Sequence, residues 1–491
     1  MMYKNPILLC DYSDPDVCRV GNDFYLTASS FNFVPGLPIL HSTDLLHWKL
    51  INYAAPSIPF PEYNCVQNAK GIWAPSIRFH DGRFFIFFAM PDEGIFCTTA
   101  QSPYESWSDW ICVREGKGFI DPCPLWDDDG TLYLVHAYAK SRLGFNSKLG
   151  LLKLDPVSLK SVSEDTFIFD GTQTQPTIEG PKFYKRNGFY YIFAPAGGVS
   201  TGWQTVLRSK KIDGPYEEKI VLEKNDSPVN GPHQGAWIHT EQDEDWFIHF
   251  QDAGIFGRIT HLQPMKWKDD WPVIGKNGTP VTKWKKPALP YIAQRKFPAP
   301  SEFQSSANVT ASSFAHAKTP LWLTPSVCTK KIDSLRFSYK KSFSFKDSWH
   351  ENERRGIIFL GNDYAALQIE KSAESEFTVS YIESYGRERG DDERKEKVIW
   401  SRKITLASAH THQEVLPECA GGANFSLLES KKSDNSEKIT FALKFKAHPD
   451  KKSGTVQFFL KAKLKNERIS FTSHPFATEN AHWVGGRFGY F

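Results

Sequence analysis

One recurrence constrains this chain more than any other feature. Five times in the first 250 residues a short β-type run, a polar turn and an aromatic-rich second run follow one another. The second runs fall at residues 24–29, 84–88, 132–136, 189–193 and 246–250, with starts 60, 48, 57 and 57 residues apart. That spacing is the period of one four-stranded propeller blade. Asp81-Gly82, Asp129-Gly130 and Asn187-Gly188 stand between paired runs and supply the positive φ angles of tight hairpins. Helical periodicity is nearly absent before residue 300. The pattern predicts an all-β fold, with a five-bladed β-propeller over residues 1–286.

Proline thickens over residues 287–300, where its fixed φ and missing N–H rule out central strands and predict a linker. Beyond it the period is lost while strand-like runs persist at 336–345, 356–360, 377–382, 439–445 and 455–460. Residues 301–491 read as a β-sandwich accessory domain, with a β-barrel as the rival. The dense mixed charge of 387–397 reads as a solvated hairpin tip.

Composition narrows the partners. A net charge of +3 is too small to draw nucleic acid or an anionic membrane. No apolar run is long enough to span a bilayer. The chain opens Met1-Met2-Tyr3-Lys4 without a leader pattern, which favours the cytoplasm; a removed leader would place it in the periplasm or outside the cell. Eight cysteines form no CxxC pair and no zinc spacing, so buried free thiols are expected.

The chemistry lies about ten residues before each second run. Asp14, Ala74 (after Trp73), Asp121 and Glu179 stand there, and Gln234 (after His233) takes the place in the fifth unit, whose turn is longer. The innermost strand of every blade begins near the axis, so three carboxylates converge in one funnel. Like charge concentrated in this way is costly and is seldom kept for stability. An isolated Asp-Pro is an ordinary turn former; the shared position is what points to function. Breaking a glycosidic bond requires one carboxyl group to protonate the departing oxygen and another to activate water or attack the sugar. A third carboxylate nearby keeps the acid protonated. Metal ligation would call for more histidine or aspartate. Strand alternation turns Asp14 and Asp16 to one face, so Asp16 competes with Asp14, but their separation along the strand leaves one acid at the lip, and Asp14 is favoured.

The stretches Tyr12-Ser13-Asp14-Pro15-Asp16, Trp73-Ala74-Pro75-Ser76, Ile120-Asp121-Pro122, Ile178-Glu179-Gly180-Pro181 and Gly231-Pro232-His233-Gln234-Gly235 together resemble family 43 of the glycoside hydrolases. The resemblance is dense from residue 5 to about 275, and the remainder resembles the β-sandwich of the xylosidase-type branch. One departure is visible: the first motif lacks the commoner proline before the catalytic Asp. The resemblance implies Asp14 as general base, Glu179 as general acid and Asp121 as the carboxylate that orients the acid and tunes its pKa. It also implies inversion of the anomeric centre, with acid and base roughly 6.5–9.5 Å apart. Trp73 and Phe31 match aromatics lining the sugar pocket, and Arg258 matches an arginine that binds substrate hydroxyls. His233 matches a residue that meets an axial calcium ion directly or through water. The substrate implied is a xylo- or arabino-oligosaccharide of hemicellulose, cut from its end to release β-D-xylose or α-L-arabinofuranose. Two readings compete with this one: a retaining fructosidase-type propeller, whose Asn-Asp-Pro-Asn start is missing here, and a non-catalytic carbohydrate-binding propeller.

Overall fold

The computed structural model describes residues 1–293, 298–309, 313–386, 395–406, 438–448, 452–464, 468–479 and 484–491. Five four-stranded antiparallel sheets follow one another at residues 16–55, 73–115, 119–170, 182–222 and 233–274, each with its strands in sequence order. Their second strands begin at Asp23, Arg83, Leu132, Phe189 and Asp245, within one residue of the starts of the aromatic runs. Asp81 and Gly82 (φ 45° and 74°), like Asn187 and Gly188 (51° and 70°), take the left-handed angles their hairpins require.

The sheets form a closed cycle. The first strand of the first sheet packs on that of the second, the second on the third, the third on the fourth, and that of the fifth returns to the first. The fourth sheet meets the fifth through its second and third strands. Met2–Lys4 pairs with Lys283–Lys285, and Tyr3 and Asn5 bond the Leu262 carbonyl, so both ends of this region are tied beside the fifth sheet. Polar links cross the seams. Asp16 accepts from Ile77 N and Arg78 Nη1, Arg78 Nη2 reaches Cys123 Sγ, Phe183 N donates to the same sulfur, and Trp237 N donates to Tyr184 Oη.

Residues 304–490 hold two larger antiparallel sheets, one of eight strands and one of five. The five runs predicted there lie within the strands Arg336–Ser344 (one residue short), Glu353–Leu360, Glu376–Ser384, Lys438–His448 and Ser453–Lys463. Alternation is clean: Lys438–His448 buries every second residue, and Ile439, Phe441, Leu443 and Phe445 enter one apolar core with Ile357, Phe359 and Phe458. The described parts of 287–300 contain no strand; 294–297 lie outside the described residues, as do 387–394 of the predicted hairpin tip and Cys419. Cys18, Cys97 and Cys123 are buried as expected, whereas Cys65 and Cys112 are exposed because each lies outside the apolar seams between sheets. Among the described residues no helix is long and apolar enough to cross a membrane.

Candidate active site

All five sheets open with the same irregularity, and it builds the site. In the second sheet Trp73 faces Ala89 while Ser76 faces Phe87, three steps on one strand against two on the other. Ile120 and Cys123 repeat this against Ala137 and Val135, and His233 and Ala236 against Phe250 and Ile248. The first sheet matches through Ser29 N to Ser13 O and Asp16 facing Thr27; the fourth through Glu179 N to Pro195 O and Lys182 facing Phe193. The extra residue of each bulge is left-handed: Asp14 (φ 55°), Ala74 (32°), Asp121 (58°), Gly180 (58°) and Gln234 (33°). A bulge of this kind re-aims side chains and breaks alternation. Adjacent residues therefore face the same space, and Trp73 with Ala74, Ile120 with Asp121, and His233 with Gln234 all line one cavity.

This register corrects two expectations. Glu179 does not share the repeat position of Asp14 and Asp121; it stands one residue earlier, equivalent to Ser13, Trp73, Ile120 and His233, and Gly180 holds the left-handed place. Counting back from the aromatic run hides the step because the hairpins differ in length. Asp16 does not join Asp14, since the left-handed Asp14 ends the alternation. Asp16 is fully buried and clamps Arg78 at 2.6 Å.

The cavity, about 160 Å³, is lined by Asp14, Asp121 and Glu179 together with Phe31, Trp73, Arg258, His233, Gln234 and Val199. Every residue singled out from the sequence for catalysis, sugar binding or ion contact thus lies in one place. Asp14 is held at both oxygens: Arg258 Nη1 donates to Oδ1 at 2.9 Å, and Ser29 Oγ donates to Oδ2 at 2.6 Å. Ser29 Oγ in turn accepts from Ala74 N at 2.7 Å, which ties the first sheet to the second. Asp121 Oδ2 accepts from Gly180 N at 2.7 Å and from Gln234 Nε2 at 3.3 Å. Burial, then the charges of Glu179 and Asp14, push the Asp121 carboxyl well above the usual carboxylate range. Glu179 keeps 31% of its side chain exposed, and its Oε1 lies 2.8 Å from His233 Nε2. Phe31 and Trp73 meet edge to face at 6.4 Å, and the Arg142 guanidinium lies over the Trp73 ring at 5.3 Å.

His233 is buried, and its Nδ1 has no hydrogen-bond partner in the protein. Calcium prefers oxygen ligands, and among the described residues no three His, Cys, Asp or Glu side chains are grouped to hold an ion. An orphaned imidazole nitrogen fits a water molecule, including one in an ion's hydration shell, better than a direct calcium contact. Sequence reasoning missed Ser29 and Lys182. Lys182 is fully buried, and its Nζ donates to Pro75 O at 2.9 Å and Ser76 Oγ at 2.8 Å, joining the fourth sheet to the second. Its place directly after Glu179-Gly180-Pro181 was the available signal.

Residues 3–272 match the family described as Glycosyl hydrolases family 43. The chain belongs to this family. A protein of Xylanibacter ruminicola provisionally named a β-xylosidase is 42% identical over 292 residues, which take in 58% of this chain and 54% of the relative. A non-reducing-end α-L-arabinofuranosidase of Bacteroides ovatus is 30% identical over 399 residues, 76% of this chain and 71% of the relative. The chain therefore spans about half the length of the first relative. Among solved structures, a xylan β-1,4-xylosidase from Bacillus halodurans C-125 superposes with a TM-score of 0.77 at 22% identity, covering 99% of this chain and 96% of that one. That likeness extends the shared fold through both groups of sheets.

Proposed function

We propose that this chain is an exo-acting, inverting glycoside hydrolase that releases terminal β-D-xylose or α-L-arabinofuranose from hemicellulose oligosaccharides. The observation that carries the reading is the meeting of Asp14, Asp121 and Glu179, from three different sheets, in one small cavity. Asp14 is the base. Two donors hold its anion and fix its direction, so it takes a proton from the water that attacks the anomeric carbon. Glu179 is the acid, giving its proton to the departing oxygen in the same displacement. Asp121, its carboxyl pushed up by burial and then by the charges of Glu179 and Asp14, lies beside the acid and orients it. Trp73 and Phe31 offer apolar faces to the sugar, and the Arg258 fork reaches its hydroxyls. The names of relatives, one a β-xylosidase and one an α-L-arabinofuranosidase, support the pair of sugars.

We read the closed cycle of sheets as a five-bladed propeller within residues 1–286, residues 287–300 as a linker, and residues 301–491 as a β-sandwich. His233 would meet the hydration shell of an axial calcium ion. Such an ion would supply fixed positive charge near Glu179 and no step of the hydrolysis.

Replacing the acid and the base separates their roles. Glu179→Ala should slow xylo-oligosaccharide hydrolysis by about 100-fold or more, while an aryl pentoside with a good leaving group loses far less. Asp14→Ala should impair both alike. NMR of the first-formed sugar should show inversion. Retention would favour the fructosidase-type mechanism, and binding of xylo-oligosaccharides without any cleavage would leave a lectin.

A further inference from the structure

Asp11 lies outside the cavity lining yet is tied to it from three directions. It is only 5% exposed. Its Oδ1 accepts from Ser13 Oγ at 3.1 Å and from the backbone N–H of Arg258 at 2.9 Å. Its Oδ2 accepts from the backbone N–H of Gly485 at 3.1 Å, a contact between residues 474 apart. A carboxylate this deep is costly unless its lone pairs are used, and here three donors use them. Two of those donors root the catalytic constellation. Ser13 directly precedes Asp14, and Arg258 opens the strand from which its guanidinium reaches Asp14 at 2.9 Å.

The third donor belongs to the C-terminal sheets, and the packing at this node leaves no slack. Gly257 is left-handed (φ 69°), and a Cβ there would lie 2.4 Å from Asp11 Cγ; a Cβ on Gly485 would lie 2.7 Å from Gly257 N. Gly486 N donates to Ile255 O at 2.8 Å, and Lys331 Nζ donates to the Asp11 carbonyl. The C-terminal segment thus closes on the loop that leads into Arg258.

We propose that Asp11 is a positioning residue that sets the Asp14–Arg258 pair and, through Gly485, makes the docking of the C-terminal sheets part of the active-site geometry. The proposal rests on the hydrolase reading of that pair. A carboxylate is needed because both oxygens accept. Asparagine has the same shape but turns one acceptor into a donor, facing an N–H or O–H that has nowhere else to bond.

The test is a double-mutant cycle on the full chain with two aryl pentosides, β-D-xyloside and α-L-arabinofuranoside. Asp11→Asn should lower kcat/KM by about 10- to 100-fold, the scale of a misplaced catalytic group. In an Arg258→Ala background the same change should cost several-fold less, because the route through the Arg258 guanidinium is gone and only that through Ser13 to Asp14 remains. Gly485→Ala, which leaves Asp11 intact and displaces the node from the C-terminal side, should repeat both results and serves if Asp11→Asn does not fold. Equal losses in the two backgrounds, or folded variants with unaltered kcat/KM, would overturn the proposal. D-xylose affinity, measured by calorimetry across the same cycle, separates this claim from the hydrolase reading. If the parent chain cleaves neither pentoside, that reading fails. The coupling of Asp11 to Arg258 is then judged by whether xylose binding weakens more where Arg258 is present.

Discussion

The cycle of five sheets and the C-terminal pair of sheets are both antiparallel and both well packed, but they differ in where the backbone is strained. Of the twenty described non-glycine residues with positive φ, eighteen precede residue 278, and only Asn352 and Lys452 follow it. Each such residue is held in a sparsely populated region at a cost of order 1 kcal/mol. In the cycle, Asp14, Ala74, Asp121 and Gln234 carry that strain at equivalent bulges around one cavity. In the C-terminal sheets the long strands Lys438–His448 and Ser453–Lys463 alternate without a break and bury a phenylalanine-rich core. Part of that strain sits where chemistry is proposed, and the region with little of it supplies stability and, through Gly485, a clamp.

Three measurements would sharpen or break that contrast. The largest effect is expected in the unstrained region. Phe441, fully buried and 5.5 Å from Phe343, should cost about 3–5 kcal/mol of stability on replacement by alanine. Denaturant titration should show that loss, while kcat/KM per folded molecule stays unchanged. In the strained region the trade reverses. Asp121→Asn should lower kcat/KM by roughly 100-fold, about 2.7 kcal/mol at the barrier, yet raise the melting temperature at neutral pH. The sign follows from the raised Asp121 carboxyl, which makes the native state the better proton binder, so its contribution to stability falls as pH rises above about 4. The advantage of the variant should therefore vanish on acidification; a variant equally or less stable at pH 7 would contradict the assignment. The smallest effect concerns His249, which burial pushes down to about 4 and which stacks on His261 at 5.3 Å. Neutral in the fold and protonated when unfolded below about 6.5, it withdraws stability as pH falls from there towards 4. His249→Gln should recover roughly 1 kcal/mol of that acid loss in melting curves taken between pH 6.5 and 4.5.

Much of this was legible before the structure. Asn187-Gly188 and Asp81-Gly82 can close only tight hairpins, so they set the register of their strands, and the aromatic runs announced the second strand of every sheet. Asp14, Asp121 and Glu179 were each marked by a following Pro or Gly-Pro, because proline, which has no N–H to donate, is accommodated where a strand begins and no donor is needed. What could not be read was the bulge. It appears only when pairing partners are known, and without it Glu179 falls in the wrong seat and Asp16 seems to share a face with Asp14. Ser29 and Asp11 were equally hidden, since a serine or aspartate gains its meaning from residues that approach across a seam or from the far end of the chain. Tyr364–Ala373 was missed as a strand because its Ala-Ala-Leu-Gln opening carries little β preference; pairing on both sides decides it.

Of the ten paired stations that the five bulges create, eight line one small cavity; Ser13, which turns to Asp11, and Gly180, which has no side chain, do not. A new sugar could be accommodated by exchanging the occupant of a single station, with the hydrogen-bond ladder behind it left intact. Diversification of substrate is thereby uncoupled from the architecture that carries it.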